Sequence, residues 1–315
     1  MKLNNFLKSL NPFYSCKKYN IPRWQCPSFL FLLMGIFIII VILITYSIVI
    51  AKIEDPKIVN LIILGLAAFL IVIDYIITNS FERISEAYKL KTEFINIVAH
   101  RLRTPLTNLK YSLTSLISDP SIKFSPKQLE YLNLLKENNQ RMINLLNNLL
   151  KVIKIETKEL SLKKERISLA EIVKKVVLTF KSRPENFDFV IDLKIQKDFP
   201  QILGDPYWLE QIVENVLDNA IHYSPLRKEI KIKLYLKNKN VYLVIEDKGV
   251  GIPTKDQKYI FQKFFRAENI LKYQTQGTGL NLYIVKEVLK LMKGKIWFHS
   301  KENQGTTFYI SLPSS

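Results

Sequence analysis

Hydrophobic positions along the chain fall into three regions with different periods. Residues 29–51 form one uncharged apolar run, and a second begins at Ile58 and continues uncharged to Ile73. Asp74 interrupts the second run before an apolar tail, Tyr75-Ile76-Ile77. Each matches the ~20 residues a helix needs to cross a bilayer, so spans are expected at 29–51 and 58–78. Residues 52–57, with the turn Asp55-Pro56, connect them. Further on, apolar residues alternate by four and three: Ile95, Ala99, Leu102, Leu106, Leu109, Leu113, Leu116. After Asp119-Pro120 the spacing resumes with Leu132, Leu135, Asn139, Met142, Leu146, Leu149, Ile153. That is the seam of a coiled coil or four-helix bundle. Ser125-Pro126 opens the second helix as N-cap and first-turn proline, and Pro105 should kink the first. From about Ile167 the period shortens to two, with strands expected at Phe187–Ile195, Ile230–Leu236, Val241–Asp247, Lys295–Ser300 and the C-terminus. The fold class is α+β: two transmembrane helices, a helical-hairpin dimerisation domain, then an α/β sandwich.

Charge adds an orientation. The net charge is +18, from 46 Lys and Arg against 28 Asp and Glu. No zinc-ligand cluster or helix-turn-helix signal points to nucleic acid, so the expected partner of this charge is anionic membrane lipid. Lys2, Lys8, Lys17, Lys18 and Arg23 precede the first span without an acid, which keeps residues 1–28 inside. The apolar run exceeds that of a signal peptide. The result is a multi-pass protein of the cytoplasmic (inner) membrane with its later domains in the cytoplasm. Trp24 and Tyr46 suit the two interfaces, and Asp74 belongs near the inner interface or facing the helix partner. The external connection is too short to fold as a sensor domain, so a stimulus acts through the bilayer, the spans or a partner. Cys16 and Cys26 have no metal-site spacing.

Residues 79–90 are polar and breaker-free, a linker helix that can run on from the second span. The hairpin, 91–158, carries two narrow apolar stripes that cannot both be covered within one chain. A homodimer burying them as a four-helix bundle is expected. Residues 97–106 read Ile-Val-Ala-His-Arg-Leu-Arg-Thr-Pro-Leu and set His100 one step off the seam, facing solvent. An exposed histidine of no function is the alternative.

Residues 160–315 contain ordered polar boxes. Asn215 and Asn219 are i and i+4 on one helical face, where amide oxygens can hold a hard Mg2+. Asp247 leaves a strand into Lys248-Gly249-Val250-Gly251. A carboxylate there can accept from an exocyclic amine while glycines let the backbone close on a flat ring. Ile260–Arg266 is an apolar-aromatic patch, a candidate hinge. Gly277-Thr278-Gly279-Leu280 opens a helix whose free amides attract phosphate, with Gly279 expected as a close-approach position for the ligand.

The run around His100 resembles the phosphoacceptor box of sensor histidine kinases, and the later boxes resemble the N, G1, F and G2 boxes of their ATPase domain, shared with gyrase, Hsp90 and mismatch-repair ATPases. The resemblance covers roughly 90–315. It implies an ATP site without a Walker A sequence: Asn219 and Asn215 for Mg2+, Tyr223 along the adenine, Asp247 reading its amino group, and Thr306 supporting Asp247 through water. Gly249, Gly251, Gly277, Thr278, Gly279 and Leu280 would complete the site under a lid from Ala267 to Gln276. It further implies that ATP phosphorylates His100, with Thr104 beside it, and that a response-regulator receiver domain takes the phosphoryl group. The chain departs from the family at three points. Arg101 stands where the family has an acid, Asn281 where Gly-x-Gly-Leu-Gly has its last glycine, and His222 where lysine is common. Arg101 motivates an alternative, a weakly active or non-catalytic ATP-binding scaffold. His222 and His299 are expected to be structural.

Overall fold

A computed structural model describes residues 27–314 except 54, 184–187, 198, 225–227, 268 and 270–276, with the side chains of 27–31, 81, 82, 85, 88 and 89 left out. The basic flank, Trp24, both cysteines and most of the expected lid lie outside the described residues. The chain forms two compact units, up to Val98 and from Ala99 onward.

In the first unit, α1 (Pro27–Ile50) and the beginning of α2 (Pro56–Ser118) are both long and apolar enough to cross a membrane. Their apolar side chains are largely exposed, Leu61 and Leu64 each at 72%. Such a surface suits lipid and would be a liability in water. Ile38, Val59 and Asp74 are buried instead. The Asp74 carboxylate is thus withdrawn from the lipid-facing surface, and the Thr78 hydroxyl lies 3.5 Å from it. Asp55 starts α2 by accepting from the Lys57 amide at 2.9 Å, so the expected turn is also a cap. Span, linker and histidine-bearing segment are one continuous helix, and Pro105 does not end it.

In the second unit the hairpin is completed by α3 (Pro126–Glu156). Ser125 accepts from the Gln128 amide at 3.3 Å while Gln128 accepts from the Ser125 amide at 2.9 Å. This capping box fixes the helix start where Ser-Pro placed it. The seam alternates in burial. Ala99, Leu113, Asn139, Leu146 and Ile153 are buried, whereas Leu102, Leu109, Leu116, Leu135 and Met142 remain exposed. One row closes the hairpin; the other is left for a further partner.

The α/β part contains β1 (Glu165–Ile167), α4 (Leu169–Lys181), β2 (Val190–Ile195), β3 (Ile202–Gly204), α5 (Pro206–His222), β4 (Glu229–Lys237), β5 (Asn240–Asp247), α6 (Asn281–Leu291), β6 (Lys295–Lys301) and β7 (Gly305–Pro313). Strands β1 and β3 pair separately, and the main sheet runs β2-β4-β5-β7-β6. Among the described residues β2 pairs parallel with β4 and the other pairs are antiparallel, so the sheet is mixed. Among the described residues β2 begins at Val190, where its ladder with β4 starts opposite Glu229; the expected start at Phe187 lies outside the described residues. Alternate sheet residues such as Ile230, Ile232, Leu243, Ile245, Phe308 and Ile310 share one core with α4, α5 and α6. On the other face Tyr235 stacks on Tyr242 and Trp297 on Tyr309.

Candidate functional site: a nucleotide cavity beside a histidine hairpin

Helix α5 is capped by Asp205, whose carboxylate accepts from the Trp208 amide at 3.2 Å. It buries Leu209, Ile212, Val213, Val216, Leu217 and Ala220, which leaves Gln211, Glu214, Asn215, Asp218 and Asn219 on the opposite, half-buried face. A 3.6-residue period does this sorting. Asn219 lines a cavity of about 100 Å³ together with Tyr223, Asp247, Gly251, Gly277, Thr278, Gly279 and Thr306. Four separate segments therefore meet there. Asn215 lines an adjoining cleft of about 1200 Å³, to which Gly277, Thr278 and Asn281 also contribute. Arg103, Arg141, Lys151, Lys154 and Arg183 make that cleft basic.

Asp247 is buried at the end of β5. Its Oδ1 accepts from the Gly249 amide at 2.8 Å and the Thr306 amide at 3.1 Å. Both amide bonds converge on one oxygen, which leaves Oδ2 as the acceptor for a ligand. Burial pushes its pKa up to about 6, against the pull of the Gly249 and Thr306 amides. The Ser224 hydroxyl adds to that pull from a fully buried position without a hydrogen bond of full geometry. Thr306 thus supports Asp247 directly through its backbone, and its hydroxyl pairs with Ser300 at 2.8 Å. Tyr223 caps α5, and burial raises its phenol pKa against the nearby Arg266 charge.

Two glycines are required by close approach of the chain to itself. A Cβ on Gly249 would lie 2.0 Å from the Tyr223 carbonyl oxygen. At Gly279 φ is +66°, and a Cβ would lie 2.6 Å from the Phe264 carbonyl carbon. Gly279 lines the cavity, as expected of a close-approach position, and a Cβ there would also strike the Phe264 backbone. Leu280 is fully buried and belongs to the core, not the cavity wall.

His100, Arg101 and Thr104 are exposed on α2 and line neither cavity. His222 contacts the Asp218 carbonyl at 2.8 Å and its carboxylate at 3.3 Å, and this side-chain hydrogen bond raises its pKa. His299 sits edge-on against Tyr309 in β6. Both have structural partners. Arg266 on the cavity wall was hidden at the end of a segment that reads as an apolar hinge, and Ser300 gave no signal in local spacing. No cluster of three or more His, Cys, Asp or Glu residues is present among the described residues. Asn215 carries an amide oxygen into the cleft beside the Glu214 and Asp218 carboxylates, and Asn219 carries one into the small cavity; such hard oxygen donors fit a Mg2+ that keeps most of its shell for water and phosphate.

Residues 90–158 match the His Kinase A (phospho-acceptor) domain, and residues 204–315 match the histidine kinase-, DNA gyrase B- and HSP90-like ATPase domain. The chain is 32% identical over 229 residues to the sensor protein kinase WalK of Staphylococcus epidermidis, covering 71% of this chain and 36% of that protein. A WalK of Staphylococcus aureus is 31% identical over 227 residues, covering 71% of this chain and 54% of that one. The chain thus spans about a third to about half the length of these relatives. The crystal structure of full-length ShkA in complex with AMPPNP shares the fold, with a TM-score of 0.59 at 22% identity over 71% of this chain and 46% of that one. With a phospho-acceptor hairpin joined to this type of ATPase domain, the chain belongs to the sensor histidine kinases of two-component systems.

Proposed function

We propose that the chain is a membrane-anchored protein-histidine kinase that phosphorylates His100 from ATP and passes the phosphoryl group to an aspartate of a response-regulator receiver domain. The convergence of eight motif residues on one cavity supports this most: Asn219, Tyr223, Asp247, Gly251, Gly277, Thr278, Gly279 and Thr306. Asp247 Oδ2 would accept from the adenine amino group, and Tyr223 would flank the ring. The amides at Gly277–Gly279 and the start of α6 would hold phosphate. Asn219 and Asn215 would carry Mg2+, and ATP with its metal would supply an activated phosphoryl group with its charge neutralised. The neutral His100 nitrogen would attack the γ-phosphorus as the bond to the ADP oxygen breaks, leaving a labile phosphoramidate.

The exposed half of the seam supports a homodimer, with Leu102, Leu109, Leu116, Leu135 and Met142 covered by the same row of a second copy. The two apolar helices support a two-span anchor in the cytoplasmic membrane with both termini inside and anionic lipid around it. Incubating the membrane-embedded chain with γ-labelled ATP tests the proposal. Acid-labile label is expected in the native chain and absent from His100→Gln, which should still bind ATP. A chain that binds ATP and takes no label would select the scaffold alternative.

A further inference from the structure

Three polar contacts tie the second hairpin helix to the ATPase domain. Asn148 Nδ2 donates to Asn281 Oδ1 at 2.7 Å, Lys151 Nζ donates to Gln211 Oε1 at 2.9 Å, and Glu156 pairs with Lys263. On α3 these residues are spaced i, i+3, i+8, along one side of the helix. Their partners sit on α6, on α5 and in the segment before Phe264. Lys151 is half-buried and lies 5.6 Å from the centre of the Trp208 ring.

The Asn281 position gives this clasp its consequence. Asn281 lines both the small cavity and the basic cleft, and it is the first residue of α6, directly after Gly277-Thr278-Gly279-Leu280. A nucleotide phosphate held by those amides would reach the residue that holds the hairpin. A glycine there, as in the motif this chain departs from, would have no side chain to accept from Asn148. Meanwhile His100 lines neither cavity, so the clasped arrangement does not present the histidine to the nucleotide.

We infer that Asn281 is a positioning residue that couples nucleotide occupancy to the hairpin: the Asn148–Asn281, Lys151–Gln211 and Glu156–Lys263 contacts hold the ATPase domain away from His100, and nucleotide loosens them at Asn281. The inference rests on the kinase proposal for its catalytic readout. Opening the clasp then raises the rate of self-labelling and tightens nucleotide binding, because nucleotide and the open clasp favour one another by the same factor.

The test uses the full chain in membranes. Asn148→Leu and Glu156→Lys should each raise kcat for His100 labelling about two- to fivefold, the range a partly exposed polar contact supplies, and lower the Kd for AMPPNP by up to the same factor. Glu156→Lys/Lys263→Glu should return to the native rate, a rescue that general damage to α3 would not produce. Trp208 emission, read with Trp24→Phe and Trp297→Phe, reports Lys151 independently of catalysis. It should change on adding AMPPNP and no longer change in Asn148→Leu. Native labelling with no gain in either variant, or a Trp208 signal indifferent to AMPPNP, overturns the clasp. A native chain that shows the Trp208 change but labels no histidine overturns the kinase proposal alone.

Discussion

Asn139 Nδ2 donates across the hairpin to the Leu106 carbonyl at 2.9 Å. The bond joins the middle of α3 to the residue that follows Pro105, where α2 lacks one backbone donor. Asn139 is buried among apolar neighbours, and its Oδ1 has no partner. A buried polar seam residue costs stability and rejects other registers, since any slip would leave the Asn139 amide unsatisfied.

The same alternation that buries Asn139 leaves Leu109 exposed at 42%. Leu109→Lys should therefore leave the hairpin folded and weaken the dimer at least about 30-fold, the equivalent of about 2 kcal/mol for a lost leucine contact. Sedimentation in detergent, with circular dichroism as control, reads both. A dimer unchanged by Leu109→Lys would place the second copy elsewhere.

Asn219→Ala and Gly279→Ala should fail for different reasons. Asn219 is half-buried on the polar face of α5, so its loss should lower His100 labelling at least about 100-fold through the metal while the melting temperature holds. Gly279→Ala forces a Cβ onto the Phe264 backbone at positive φ, so the melting temperature should fall together with activity. Equal melting of the two variants would contradict this division.

Asp247 makes nucleotide affinity and stability respond to pH in opposite directions. Its folded pKa of about 6 lies above the ordinary aspartate value of 3.8, so the folded state binds the proton more tightly. Stability then declines as pH rises from about 4 to about 6, and the full penalty of burying the ionised carboxylate persists above that. With Oδ1 taken by two amides, a proton would sit on Oδ2, the oxygen left to accept from the adenine amine, so ATP binding should weaken as pH falls below about 6. Asp247→Asn should melt higher than the native chain at pH 8, by little at pH 4, and should lose the pH dependence of binding in titration calorimetry.

Arg101 occupies the place of an acid that could take the imidazole proton, a contribution typically worth ~10²–10⁴-fold. A guanidinium cannot accept a proton, although it attracts phosphate. The missing base is the larger effect, so Arg101→Glu should label His100 at least about tenfold faster with little change in ATP affinity. Slower labelling would make Arg101 a phosphate-positioning residue.

Periodicity was enough for the longer local elements, though not for β1, β3 or α4. Uncharged runs marked α1 and the start of α2, the four-three spacing marked both hairpin helices, Ser125-Pro126 marked a cap, and period two marked β4 to β7, because each depends on side chains a few residues apart. The i, i+4 pair Asn215 and Asn219 was legible for the same reason. What spacing could not carry was which of several permitted contacts each residue makes. The seam does not say that Leu113 and Asn139 close the hairpin while Leu109 and Met142 stay open, because both rows obey one period. Nor does a glycine motif say that Gly279 answers to Phe264, or that Thr306 holds Asp247 by its amide across β5 and β7. Asn281 looked like a lone departure from a motif until folding set it against Asn148, 133 residues away in sequence. Such pairings come from layers packing on one core, and no local period records them.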